Sequence, residues 1–254
     1  MPDNPRSLRV EAVVLRHVNY GEADRMLTLY TRDQGKLRAI AKGIRKIKSR
    51  KAGHLEPFSR ITLQLSRGHD LFIITQAETI EGYTNIRENL ELTGYTAVVI
   101  EMIDRFTFEA EENRAIYHLL AETMARLDRG DEPFITVRYF EIHLLESLGY
   151  KPELSVCTVC RREIKAEDQY FSPQQGGIIC PDCGRSVPGA RPASMHALKY
   201  LRHLQRSNFA QAYAAHPDTL TRAEMEDLIQ DYLSYILERR LNAPRFLREI
   251  NQGE

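Results

Sequence analysis

From residue 8 to residue 83 the apolar residues come in short stretches, rich in β-branched side chains and separated by glycines and charged turns. That pattern belongs to β-strands. Strands are predicted near 8–18, 25–31, 35–42, 57–66 and 71–81. The fourth is the clearest, because Ile61, Leu63 and Leu65 alternate with Thr62, Gln64 and Ser66, the two-residue period of a strand with one buried face. Gly21, Gly35, Gly43 and Gly68 fall where turns are needed. Five short antiparallel strands in so few residues suit a small barrel. The OB-fold is the commonest five-stranded solution, and spacing alone does not separate it from an SH3-like barrel.

Near residue 86 the period changes. Ile86, Leu90, Val98, Met102 and Phe106 fall on rows spaced as helical turns are. Further helices are predicted at 113–129, ended by Gly130, and at 133–148, opened by Pro133 in the first turn and closed by Gly149. Two more are predicted near 193–206 and 221–241, with Thr221 and Glu224 spaced as a capping box for the last. No internal repeat is visible. The expected architecture is α+β: an OB-fold domain over 1–84, a helical domain over 85–152 and 190–254, and a metal-binding insertion at 153–189.

Apolar residues make up 43% of the chain and charged residues 28%, ordinary for a folded protein. The formal net charge is zero, but the balance is uneven along the chain. Residues 1–84 carry 15 Lys and Arg against 9 Asp and Glu, and the remainder 20 against 26. The two ends are thus expected to face different partners. The start, Met1-Pro2-Asp3-Asn4, has no basic segment followed by an apolar stretch, and no run approaches the roughly 18 apolar residues of a membrane span. A cytoplasmic protein is expected.

The four cysteines read Cys157-x-x-Cys160 and Cys180-x-x-Cys183, with nineteen residues between the pairs. In a reducing compartment such a set points to a metal rather than to disulfides. Two such knuckles supply four thiolates, which suit one structural zinc held tetrahedrally. Gly176-Gly177 and Gly184 give the backbone freedom near the second knuckle. Free thiols, a redox pair and a catalytic metal are the alternatives. The last requires a third ligand in a His-x-Glu or Cys-x-Glu element, as in nucleobase deaminases. The one match is His54-Leu55-Glu56, about a hundred residues upstream, and Val156 and Ile179 stand where those enzymes place a proline. Four cysteines around one ion also leave no position for water.

No acidic residue lies between Asp33 and Glu56, where Lys36, Arg38, Lys42, Arg45, Lys46, Lys48, Arg50 and Lys51 supply eight positive charges. The cluster falls on the third strand and the loop after it, and strands 2 and 3 with their neighbouring loops form the usual nucleic-acid face of an OB-fold. It has the electrostatic footprint of a phosphate-backbone binder. The competing reading is a solvated basic loop. Tyr20, Tyr30, Phe58 and Phe72 could stack on bases, although each fits the barrel core as well. With no base-reading pattern, little sequence preference is expected.

These residues carry a family likeness. Tyr20-Gly21-Glu22-Ala23-Asp24-Arg25, Gly35-Lys36, Ala41-Lys42-Gly43-Ile44-Arg45-Lys46 and Leu55-Glu56-Pro57-Phe58 resemble the N-terminal domain of RecO recombination mediators. Leu144-Leu145-Glu146-Ser147-Leu148-Gly149-Tyr150-Lys151-Pro152, leading into Cys157 and then Phe171-Ser172-Pro173, resembles that family's passage from helical domain into zinc site. The resemblance implies a mediator of recombinational repair that binds single- and double-stranded DNA, anneals complementary strands, works with RecR, and helps RecA displace single-strand-binding protein. It places the protein with the nucleoid and adds Arg25 to the basic DNA-binding set. It also implies that the acidic C-terminal tail of single-strand-binding protein docks on the helical domain, with Arg138 matching a position that could hold its carboxylate. A planar guanidinium suits that task. Some members of the family lack the cysteines, which makes the zinc a scaffold rather than the source of the shared activity.

No enzyme is expected. There is no phosphate-binding loop of the Gly-x-x-x-x-Gly-Lys-Ser/Thr type and no His-Glu-x-x-His. His143 and Glu146 share a helix without a convergent pocket to make them a dyad. Glu111-Glu112 reads as a solvated helix start. The readings set against a DNA mediator are a zinc-ribbon adaptor whose barrel binds RNA or protein, and a metal-dependent nuclease.

Overall fold

The computed structural model describes residues 7–69, 71–238, 241–244 and 247. Two compact units divide the chain. One holds the described residues up to Gly130 together with those from Ala243 on, and the other is Asp131–Asn242. The first unit therefore continues past the expected boundary at 84 to take in three helices.

Its barrel consists of β1 (Ser7–Tyr20), β2 (Asp24–Thr31), β3 (Gly35–Ala41), β4 (Arg60–Arg67) and β5 (Phe72–Glu81). The strand order is β1-β2-β3-β5-β4, closed between β4 and β1. Only β3 and β5 run parallel, through Ala39 opposite Phe72 and Ile40 opposite Ile73. This order is the OB pattern and resolves the choice that spacing left open. β1 borders two strands because a register shift between Val14 and Arg16 bends it around the closure. Alternate residues fill the interior: Val10, Ala12 and Val14, then Leu27 and Leu29, Leu37 and Ala39, Ile61, Leu63 and Leu65. The fourth strand begins at Arg60 and not at 57, since Phe58 takes a left-handed backbone (φ 66°) and binds its N–H to the Val14 carbonyl.

α1 (Thr84–Glu88), α2 (Leu90–Phe106) and α3 (Arg114–Arg129) complete this unit. The helix expected from residue 86 breaks at Asn89, whose side chain accepts from Leu92 N–H and caps α2. Gly130 ends α3 in the left-handed conformation (φ 89°). The connection before α3 lies against the barrel, where Ala110 N–H donates to the Lys36 carbonyl. Gly35 makes the approach possible: its φ is 62°, and a Cβ there would stand 1.9 Å from the Glu111 carbonyl oxygen.

The second unit contains α4 (Pro133–Ser147), β6 (Gln169–Ser172), β7 (Gly177–Ile179), α5 (Pro181–Gly184), β8 (Arg191–Ala193), α6 (Met195–Arg206), α7 (Phe209–Tyr213) and α8 (Thr219–Leu237). Pro133 sits in the first turn of α4, as expected. The three-stranded sheet, ordered β7-β6-β8, and the short α7 have no counterpart in the sequence reading. The cap of α8 is Asp218, whose carboxylate accepts from Thr221 N–H, so the expected capping box at Thr221 is replaced. Glu224 instead accepts from the backbone N–H and hydroxyl of Ser194, the cap of α6. α8 ends before a left-handed Glu238, and residues 239–240 of the predicted helix lie outside the described residues.

Candidate functional site

On a strand, alternate side chains face opposite ways, and this divides the basic residues of β3 and its loop. Leu37, Ala39 and Ala41 enter the barrel, while Lys36 and Arg38 point outward to the last turn of α2 and the segment that follows it. There Lys36 Nζ donates to the Asp104 carbonyl at 2.6 Å and meets its carboxylate at 3.4 Å, leaving 12% of the side chain exposed. Arg38 pairs with Glu109 at 2.7 Å, and Arg25 with Glu56 at 3.0 Å. Lys51 Nζ donates to the Ile74 carbonyl, and burial lowers its pKa. Of the basic residues singled out in the sequence, these four hold partners within their own unit.

The rest behave differently. Lys42, Lys46, Lys48 and Arg50 are exposed, and among the described residues their side chains have no hydrogen-bond or ion-pair partner. Arg45 is exposed while donating to the Glu22 carbonyl at 3.1 Å. The loop that carries them is fixed at its root. Ile44 is buried in the barrel core, Gly43 N–H donates to Asp24 Oδ1 at 2.7 Å, and Arg45 N–H to the Ala23 carbonyl at 3.0 Å. These bonds tie the loop to the β1–β2 turn, beside which Tyr20 is 48% exposed. Charge and an aromatic face thus converge at one end of the barrel. Of the other aromatics, Tyr30 is core, its phenol pushed up to about 12 by burial and the nearby Glu111, and Phe58 and Phe72 are half-buried. Sequence reasoning missed Asp24 as the anchor and Ile47 at the loop's tip. It also missed Asp104 and Glu109 as partners of β3, although the outward period of Lys36 and Arg38 signalled that an acidic segment could cover them.

In the second unit the four cysteine sulfurs lie within 4.8 Å of one another. Cys160 Sγ and Cys180 Sγ are 3.7 Å apart, beyond the roughly 2 Å of a disulfide. Four sulfurs each about 2.3 Å from a central ion would be spaced by roughly 3.8 Å, so the set fits a tetrahedral thiolate metal site. Cys157 Sγ accepts from the backbone N–H of Cys160 and Cys180, which lowers its pKa against the effect of burial. Arg162, through its backbone N–H and its guanidinium, brings Cys160 down to about 6, favouring the thiolate. Its other guanidinium nitrogen pairs with Asp182 at 2.9 Å, joining the two knuckles. His54 bonds Thr79 and Glu56 bonds Arg25, so neither is arranged as a ligand.

Arg138 is 2% exposed. It faces Glu141 at 3.0 Å, and its guanidinium lies 5.5 Å from the Phe134 ring centre. Burial pushes the Glu141 carboxyl up to about 7, with Arg138 opposing the shift. Arg138 lies on the packed side of α4, with Glu141 of the same helix as its charged neighbour. No described helix is long and apolar enough to cross a membrane.

Comparison with known proteins covers nearly the whole chain. Residues 6–83 match the family model "Recombination protein O N terminal", and 87–245 match "Recombination protein O C terminal". A DNA repair protein RecO from Dehalococcoides mccartyi is 37% identical over 249 residues, covering 98% of both chains. One from Roseiflexus sp. is 37% identical over 247 residues, 97% of this chain and 87% of its own. Another, from Desulforamulus reducens, is 33% identical over 239 residues, 94% and 93% respectively.

Proposed function

The chain belongs to the RecO family of DNA repair proteins, and from that premise we propose that it binds DNA through the barrel end carrying Lys42, Arg45, Lys46, Lys48, Arg50 and Tyr20. The supporting observation is that four cations in this loop are exposed and, among the described residues, have no side-chain partner, on a loop anchored to the turn beside Tyr20. Cations already neutralised by carboxylates release few counterions on binding, whereas unpaired ones release one for each phosphate they meet. Tyr20 adds a flat surface on which any base can stack.

Strand annealing follows without a chemical step. Positive charge on the loop lowers the repulsion between two phosphate backbones and lets complementary strands approach. In this reading the protein is a mediator, not an enzyme, working in the cytoplasm with the nucleoid. Double-stranded DNA uses the same cations. RecR, the tail of single-strand-binding protein and the loading of RecA enter through family membership alone. Arg138 would take part in holding that tail only if Glu141 gave way.

The ion assigned to the four thiolates is zinc, which accepts four sulfur ligands and in such a closed site supplies structure alone. Cys157, Cys160, Cys180 and Cys183 would hold it, and Arg162 would orient Cys160. The direct test is annealing of complementary oligonucleotides with wild-type protein and with Lys42, Lys46, Lys48 and Arg50 all replaced by Ala. The reading expects a loss of at least tenfold in annealing rate at low salt. Unchanged annealing would refute it, and preferential capture of RNA over DNA of the same sequence would favour an RNA-binding adaptor.

A further inference from the structure

At the tip of the basic loop stands a residue that the charge argument leaves unused. Ile47 is 105% exposed, so its whole side chain lies in water. Single apolar residues on a surface are ordinary. Ile47 differs in its setting. Lys46 and Lys48 on either side are exposed, and their side chains have no partner among the described residues. The turn that presents it is held by Lys46 N–H donating to the Gly43 carbonyl and Ser49 N–H to the Lys46 carbonyl, 3.1 and 2.9 Å. Just before it, Ile44 is embedded in the barrel core and Gly43 is bonded to Asp24. A β-branched side chain with little rotational freedom is thus carried on an anchored support between two cations.

We propose that Ile47 is a wedge that enters between two adjacent bases of bound DNA while Lys46 and Lys48 hold the phosphates on either side of that step. The inference rests on the DNA-binding reading above and adds what the loop does to the strand. An isoleucine gains by leaving water only where it meets another apolar surface. On DNA the large apolar surfaces are the faces of the bases, hidden from each other's neighbours by stacking. Cations bring the loop to the backbone, and an apolar side chain between them is the kind of group that proteins insert at base steps to unstack them. Opening steps in this way would free bases for pairing with a complementary strand.

The test uses the full chain with a single-stranded oligonucleotide carrying one central 2-aminopurine, whose fluorescence rises when it unstacks. At low salt and saturating protein, the wild type is expected to raise the signal severalfold. Ile47→Ser should bind with an unchanged salt slope yet lose most of that rise, and Ile47→Leu should keep it. Lys46→Ala with Lys48→Ala should lower the magnitude of the logarithmic salt slope by about 1.4, two phosphates on a single strand. Because the Ile47 side chain is fully exposed, the melting temperature of Ile47→Ser should equal that of the wild type. A full fluorescence rise from saturating Ile47→Ser would overturn the wedge and leave DNA binding standing. Wild-type protein that binds no DNA, or binds it independently of salt, would overturn the underlying reading instead.

Discussion

Lys36 and Lys46 are ten residues apart on one basic stretch, and their surroundings give them opposite tasks. Lys36 is nearly enclosed between barrel and helices against Asp104, so Lys36→Ala should destabilise the first unit by about 1–3 kcal/mol in urea, as expected when a part-buried carbonyl loses its donor, while the Asp104 carboxylate keeps Arg16. Its effect on the salt dependence of DNA binding should be small. Lys46, fully solvated, should show the reverse. At the four-cysteine cluster, Arg162→Ala removes the guanidinium that touches Cys160 Sγ at 3.3 Å and bridges to Asp182, and chelator competition on the metal-loaded protein should register a roughly 10–100-fold loss in metal affinity. The grouping of the four cysteines was plain from spacing, because two knuckles impose a fixed sequence distance. Arg162 was not, since an arginine two residues after a cysteine is common and only the folded loop turns its guanidinium back onto the sulfur. Likewise Arg138 could be placed on a helix from its neighbours, but burial depends on which side of α4 meets the rest of its unit.

Among the elements, the barrel strands were the most legible, as the two-residue alternation of Ile61, Leu63 and Leu65 records directly which face is wet. The sheet of β6, β7 and β8 left no comparable trace, for strands of three or four residues are too short to establish a period. Thr221 and Glu224 had the spacing of a cap, yet Asp218 stood three residues earlier with its own carboxylate for the Thr221 N–H, and Glu224 is engaged by Ser194. Asp218→Ala should accordingly lower stability by about 1 kcal/mol, measured by denaturation of the full chain. Gly35→Ala should cost more, about 2–4 kcal/mol, since it combines a left-handed backbone with a collision against Glu111. α4 adds a pH term. The folded Glu141 carboxyl titrates near 7, above its ordinary value of about 4.3, so the folded state binds the extra proton between those limits. Its contribution is fully present below about pH 4.3 and is lost as pH rises through 7. Comparing melting temperatures of wild type and Glu141→Gln from pH 5 to 8 should therefore reveal a difference that shifts in favour of the variant with rising pH; a constant difference would show that Glu141 does not titrate there.

For the whole molecule, the change of period near residue 86 agrees with the family boundary between 83 and 87, while the compact unit runs on to Gly130. Long-range bonds account for the difference: Lys36 to Asp104, Arg38 to Glu109 and Tyr117 to Glu11 bind α2, α3 and their connection to the barrel, and no local pattern announces such pairs. The zero net charge was uninformative for the same reason, because it sums cations that are structurally spent with those that are free. If the metal is a scaffold for the second unit alone, chelation should expose amides of residues 153–183 to hydrogen exchange without changing DNA affinity by more than about twofold. The central claim, that the unpaired cations of one loop grip phosphate, is tested most directly by DNA affinity across a salt series. A logarithmic slope of about −3 to −5 is expected for four to six contacted phosphates, shrinking by about 3 when Lys42, Lys46, Lys48 and Arg50 are replaced by Ala. A slope near zero in the wild type, or the same slope in both proteins, would contradict it.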